Sequence, residues 1–196
     1  RREDGLVLRW YMDPLFNGVY PLDVLDHLGS DGPRVQPGDM AAIATPMDFL
    51  GINYYFNARI GHRVSKEHFS RARVIDQLLP YAVEAQSQGP LTDMGWPVTP
   101  NGIGDLLVRW TREYGNKVPQ MFITENGAAY ATGPDANGVV NDQQRIEYLN
   151  DHLYNVQDAI SRGADVGGYF QWSLMDNFEW AEGYSKRFGI VYVDFD

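Results

Sequence analysis

Three apolar runs in this chain each end in residues that could do chemistry on a neutral, hydroxyl-rich substrate. The run at 47–52 leads into Asn53, Tyr54 and Tyr55; the run at 118–124 leads into Glu125-Asn126; the run at 166–171 leads into Trp172, with Glu179-Trp180 close behind. A carboxylate with a neighbouring amide, a tyrosine and tryptophans suits carbohydrate chemistry. The carboxylate can attack or stabilise an anomeric carbon. Amides and acids make strong hydrogen bonds to hydroxyls, and indole faces cover the apolar side of a sugar ring. Successive side chains of a strand alternate, so Asn53 and Tyr55 share one face while Tyr54 points the other way, toward a helical layer.

The elements that must hold these residues follow from periodicity. Residues 47–55 read as a first strand, and Phe49 to Ile52 is apolar enough to predict burial on both faces, as in a parallel sheet. A helix is expected from Thr99 as N-cap and Pro100 as first residue to about Tyr114, with Ile103, Leu106, Leu107, Trp110 and Tyr114 on one face and Gly115 as its stop. Residues 118–124 form the second expected strand, followed by a glycine-rich loop at 127–138. Asp142 is expected to cap a long helix whose apolar face is Ile146, Leu149, Leu153, Val156 and Ile160, with His152 partly exposed and Gly163 as the stop. Residues 166–172 form the third strand. Alternating strands and helices of this kind predict an α/β fold with a parallel sheet and right-handed crossovers. Other expectations are a short helix ending before Asp13, another over 23–27, a loop over 33–38, and short strands at 59–64 and 74–79.

Composition narrows the function classes. With 16 Lys and Arg against 26 Asp and Glu, the net charge of −10 disfavours nucleic acid and anionic membrane surfaces as partners. It leaves neutral sugars open. No cysteine is present, which removes disulfides, thiol catalysis and thiolate metal sites and permits a cytoplasmic location. The histidines His27, His62, His68 and His152 have no metal-ligand spacing, and no phosphate-cradling glycine loop occurs, so neither a metal nor a cofactor is expected. The chain opens on Arg1-Arg2-Glu3-Asp4 without Met and stops at Val193-Asp194-Phe195-Asp196 directly after a strand-like run. A portion of a longer protein, spanning 1–196 as part of one domain, is the expectation.

Several of these segments together resemble glycoside hydrolase family 1. Phe122-Ile123-Thr124-Glu125-Asn126-Gly127 is similar to the family's nucleophile motif, and Gly51-Ile52-Asn53-Tyr54-Tyr55 to its preceding strand. Trp172-Ser173-Leu174-Met175-Asp176-Asn177-Phe178-Glu179-Trp180, then Gly183-Tyr184-Ser185-Lys186-Arg187-Phe188-Gly189, resembles its last-strand signature, and Gly95-Trp96 also fits. The resemblance implies a (β/α)8 barrel, of which this chain would hold about strands six to eight, and a retaining β-glucosidase-like activity on a β-linked glucoside or related oligosaccharide. It implies Glu125 as nucleophile, with Tyr55 holding its charge and orientation. Asn53 would meet the sugar 2-hydroxyl, Trp172 the floor of the subsite, Glu179 the 4- and 6-hydroxyls and Trp180 the 3-hydroxyl. Trp96 would line the aglycone side, and Phe188 the far wall near the 6-position.

The sequence departs from the family in one respect. The family's acid/base glutamate lies in a Thr-Phe-Asn-Glu-Pro-like motif, which these residues do not contain, and the early-strand Gln, His and Trp sugar ligands have no match either. The N-terminal portion of the same enzyme is therefore an expected partner, and the chain alone is expected to be inactive. Two other functional classes are disfavoured. The 6-phospho-β-glycosidases carry Ser, Lys and Tyr where this chain has Glu179, Lys186 and Phe188, and an acid at 179 would repel a 6-phosphate. A catalytically dead sugar-binding module would have no use for Glu125 with Tyr55 beside it.

Overall fold

The computed structural model describes residues 4–62, 82–84 and 89–196. They fall into two compact units, one of Arg1–Met47 with Ala58–Gln86 and one of Asp48–Asn57 with Ser87–Asp196.

In the first unit a π-helical turn, Gly5–Arg9, runs into helix α1, Trp10–Asn17. The helix does not end before Asp13 as its Pro14 had suggested. Pro14 removes only one donor, and Met12, Pro14 and Phe16 are buried together, which offsets the lost bond. Gly18, at φ 67°, closes α1 with its N–H on the Pro14 carbonyl at 3.1 Å. Helices α2, Leu22–Leu28, and α3, Asp39–Ile43, follow, with the expected loop between them. Strands β2, Ile60–His62, and β3, Ala82–Glu84, pair antiparallel. The expected strand at 59–64 is thus present in part; residues 63–64 and the expected strand at 74–79 lie outside the described residues.

The second unit is a layered α/β arrangement. Strands β1, Leu50–Asn53, β4, Met121–Asn126, and β5, Val166–Gln171, form a parallel sheet in the order β1-β4-β5. β1 and β4 begin later than the sequence had suggested, β5 begins at Val166 as expected, and β4 includes Glu125 and Asn126. Helices α4, Asn101–Tyr114, and α5, Gln143–Ser161, connect the strands. The two helices approach closely at Gly104, where an added Cβ would stand 2.8 Å from the Asn155 carbonyl oxygen. Gly115, at φ 56°, ends α4 as expected.

One face of the sheet carries Ile52, Tyr54, Met121 and Ile123, all buried against the helical side. The expectation of burial on both faces fails for the other side. Phe49 is 56% exposed and meets Phe122 edge-on, at 5.6 Å between ring centroids. Among the described residues no second layer covers that face.

The helix caps also differ from expectation. α4 starts one residue later, and the Thr99 hydroxyl accepts from the Asn57 N–H at 2.8 Å instead of capping the helix. Tyr54 donates to the Thr99 carbonyl oxygen at 2.6 Å, and burial pushes its phenol up to about 12. Asp142 precedes α5 but binds the Arg145 side chain at 2.6 Å.

The buried face of α5 is Arg145, Tyr148, His152, Val156 and Ala159, so of the expected aliphatic stripe only Val156 is buried, with Leu149 partly so. Ile146, Leu153 and Ile160 are exposed. The stripe misled because polar and aromatic side chains with dedicated partners fill the inner face. His152, expected to be partly exposed, is fully buried. Its ring stacks on Tyr148 at 3.9 Å and its Nδ1 donates to the Tyr148 carbonyl at 2.7 Å. No described helix is long and apolar enough to cross a membrane.

His152 carries a pH dependence of stability. Burial, as the largest cause, lowers its pKa below the ordinary 6.5, so the folded chain holds it neutral. The unfolded chain takes up a proton near 6.5, so stability falls as pH drops through that value, by at most about 1.4 kcal/mol per pH unit. Denaturant titrations between pH 7.5 and 5 should show this slope, and His152→Gln should flatten it.

Candidate active site

The strand register determines where Glu125 points. Ile52 pairs with Ile123 but Asn53 pairs with Glu125, so Thr124 is an extra residue in β4. Strict alternation would place Glu125 with Met121 and Ile123 on the helical side. The bulge resets the alternation. Asn126 then turns inward and is fully buried, while Glu125 is left half-buried at the strand end.

Glu125 and Tyr55 meet there, the phenol donating to the carboxylate Oε2 at 2.7 Å. Burial raises the Tyr55 pKa well above the ordinary phenol value. Its bond to Glu125 and the negative charges of Glu125 and Glu179 push the same way. The phenol therefore stays protonated and serves as a standing donor to Glu125. Behind it is an aromatic group: Trp96 lies 5.2 Å from Tyr55, edge to face, and Phe188 6.3 Å, with Phe56 against Trp96 at 5.4 Å.

Asn53 is held differently. The Thr124 hydroxyl donates to its Oδ1 at 2.7 Å, which leaves the amide nitrogen as the outward-facing donor. Tyr54 goes to the helical layer, as the alternation predicted.

Trp172 continues β5, its N–H on the Asn126 carbonyl at 2.9 Å. A Cβ at Gly127 would stand 1.8 Å from the Trp172 carbonyl oxygen, so the strand ends approach this closely only with glycine there. The Trp172–Ser173 peptide is cis. Beyond it, Asn177 donates to Glu179 Oε2 at 2.9 Å and accepts from the Ser173 hydroxyl at 3.1 Å, which fixes Glu179 through two side chains. Trp180, at φ 42°, is 83% exposed.

Of the expected residues, the structure therefore joins Glu125, Tyr55, Trp96 and Phe188, keeps Asn53 on the same strand end as Tyr55, and leaves Trp180 open to solvent. Phe188 is corrected. At 1% exposure it offers no open face and serves as packing behind Tyr55 and Trp96. The adjacent amide Asn126 is also no ligand candidate, because its polar atoms are occupied by Tyr54, Tyr148 and Tyr169.

Several supporting residues escaped the sequence reading. Buried Arg145 donates to the carbonyls of Ala128, Tyr130 and Arg187, which holds the loop after Glu125. Asp176 accepts from Arg187 at 2.6 Å and from the Gly189 N–H at 3.0 Å, which folds 173–193 back on itself. Thr124 and Asn177 lay inside conspicuous motifs, but the sequence gave no signal of their partners.

The 1,4-beta-D-glucan glucohydrolase of Thermotoga neapolitana is 43% identical over 188 residues, covering 95% of this chain and 40% of that protein. A beta-glucosidase from Exiguobacterium marinum matches in structure with a TM-score of 0.84 at 38% identity, over 100% of this chain and 42% of its own. The psychrophilic beta-glucosidase of Micrococcus antarcticus matches with a TM-score of 0.87 at 40% identity, over 100% and 44%. The chain thus spans about 40% of the length of the curated relatives it matches. Its three parallel strands with their helices are part of a (β/α)8 barrel. The model of glycosyl hydrolase family 1 matches residues 1–196, and the chain belongs to that family.

Proposed function

We propose that this chain is the C-terminal part of a retaining β-glucosidase-like enzyme, with Glu125 as nucleophile. It would hold about strands six to eight of a single barrel domain. The observation that carries the reading is the Glu125 carboxylate at the end of β4, held by the Tyr55 phenol at 2.7 Å, with the Glu179 charge acting on the same phenol.

The chemistry follows from that pairing. Glu125 attacks the anomeric carbon and the glycosidic C–O bond breaks. A carboxylic acid about 5–5.5 Å away protonates the departing oxygen, then removes a proton from the water that frees the sugar. Tyr55, kept protonated, holds one carboxylate oxygen and leaves the other to form the bond. Asn53 offers its amide N–H to a neighbouring hydroxyl, and Glu179, fixed by Asn177, accepts from hydroxyls on the far side of the ring. Trp172 supplies an apolar face as the floor, Trp180 meets the 3-hydroxyl, and Trp96 lines the approach of the leaving group.

The acid is to come from the N-terminal portion of the same enzyme. General acid catalysis contributes on the order of 10²–10⁴-fold, so on this reading the 196-residue chain alone does not turn over. Glu179 argues against a 6-phosphate on the substrate, and Lys186 is already engaged with the Asp93 carbonyl at 2.6 Å.

Proton NMR of early product from an aryl β-glucoside, with the full-length protein, tests the reaction class. The β-anomer of glucose should form first and mutarotate afterwards. The α-anomer forming first would mean a single displacement by water, and Glu125 would not be a nucleophile.

A further inference from the structure

A buried polar network lies behind Glu125, around the next residue of β4. Asn126 is its hub. Its amide nitrogen donates to the Tyr54 carbonyl at 2.7 Å and to the Tyr148 hydroxyl at 3.0 Å, and its oxygen accepts from the Tyr169 hydroxyl. The Tyr148 hydroxyl in turn donates to the Tyr55 carbonyl at 3.2 Å. Each donor and acceptor of the Asn126 side chain is thus directed, and both peptide carbonyls flanking Tyr55 in this stretch are held by side chains from other elements. Tyr148 comes from α5, 93 residues away from Tyr55 in sequence, and is almost fully buried with its ring stacked on His152.

From this geometry we propose that Tyr148 is a positioning residue for the reaction, fixing the main chain at Tyr55 so that the phenol meets Glu125 at donor distance. The inference rests on the assignment of Glu125 and Tyr55 under the proposed function. β1 ends at Asn53, so Tyr55 lies beyond the sheet ladder and its backbone carbonyl has no strand partner. The Tyr54 N–H bonds the Glu125 carbonyl at 2.9 Å, which ties the two strands one residue before the phenol. Tyr148 supplies the next tie. A shift of one ångström at a reacting group costs up to about 100-fold, so a hydroxyl with no access to substrate can control rate.

The test uses the full-length protein and Tyr148→Phe, which keeps the ring and its stacking and deletes only the hydroxyl. Active sites are first counted by covalent trapping with an activated 2-deoxy-2-fluoro glucoside, and the adduct is mapped to a residue. Per trapped site, Tyr148→Phe should lower kcat about 10- to 30-fold with little change in KM. In a Tyr55→Phe background the same change should add less than about 2-fold, because its effect passes through the Tyr55 phenol. Tyr169→Phe, which removes the donor to the Asn126 oxygen, should reproduce the pattern more weakly and serves if Tyr148→Phe does not fold. Fully additive losses in the double variant, or unchanged kcat per site, would overturn the positioning role. An adduct on a residue other than Glu125 would instead overturn the reading on which it rests.

Discussion

Glu125→Gln in the full-length protein is expected to lower kcat/KM on an aryl β-glucoside by on the order of 10⁴- to 10⁶-fold, because it removes the bond-forming oxygen itself. The replacement keeps the side-chain shape, and Tyr55 can still donate to the amide oxygen, so the thermal midpoint should move little. Glu179 makes a useful contrast, since it is proposed for the same site and is also a glutamate. Its proposed part is to accept hydrogen bonds from the sugar, each worth about 1.5–3 kcal/mol with a charged acceptor. Glu179→Gln should therefore cost about 10- to 150-fold, well short of the loss at Glu125. Steady-state kinetics on both variants decides the order. A larger loss at Glu179 than at Glu125 would mean the two roles are exchanged.

The second large effect concerns stability. Arg145 has only 4% of its side chain exposed and binds Asp142, itself 21% exposed, at 2.6 Å, so a buried guanidinium is held by a partly buried acid and by carbonyl partners. Arg145→Leu leaves the Asp142 charge and the carbonyls of Ala128, Tyr130 and Arg187 without that donor. Breaking one partner of such a pair costs about 3–5 kcal/mol. The loop it holds begins directly after Glu125-Asn126-Gly127, so activity should fall with stability. Chemical denaturation of the full-length protein measures the first, and a loss under about 1 kcal/mol would show that the loop is held by its own turns.

Much of this architecture was legible from residue pattern. The parallel order of three strands followed from apolar runs separated by amphipathic helices, and Gly115 and Gly163 marked helix ends that the structure keeps. Glu125, Tyr55 and Asn53 stood out because polar groups at strand ends have little reason to be there except a site. What was not legible is what depends on three-dimensional partners. The bulge at Thr124 leaves no mark in a β-branched strand residue, yet it decides which way Glu125 faces. The buried face of α5 was missed because Arg145, Tyr148 and His152 look like surface residues until their partners are known. The motif position of Phe188 suggests a wall, whereas the structure packs its ring against Tyr55 and Trp96. Burial of Phe49 was expected from its neighbours, and it fails where the sheet face lacks a covering layer among the described residues.

Covalent trapping tests the central claim most directly. The full-length protein is inactivated with a 2-deoxy-2-fluoro β-glucoside carrying a good leaving group, digested, and mapped by tandem mass spectrometry. The account predicts one added fluoroglucosyl group per protein, on the peptide spanning Phe122-Ile123-Thr124-Glu125-Asn126-Gly127 and localised to Glu125. An adduct on Glu113 or Glu179, or full inactivation with no covalent sugar, would contradict it.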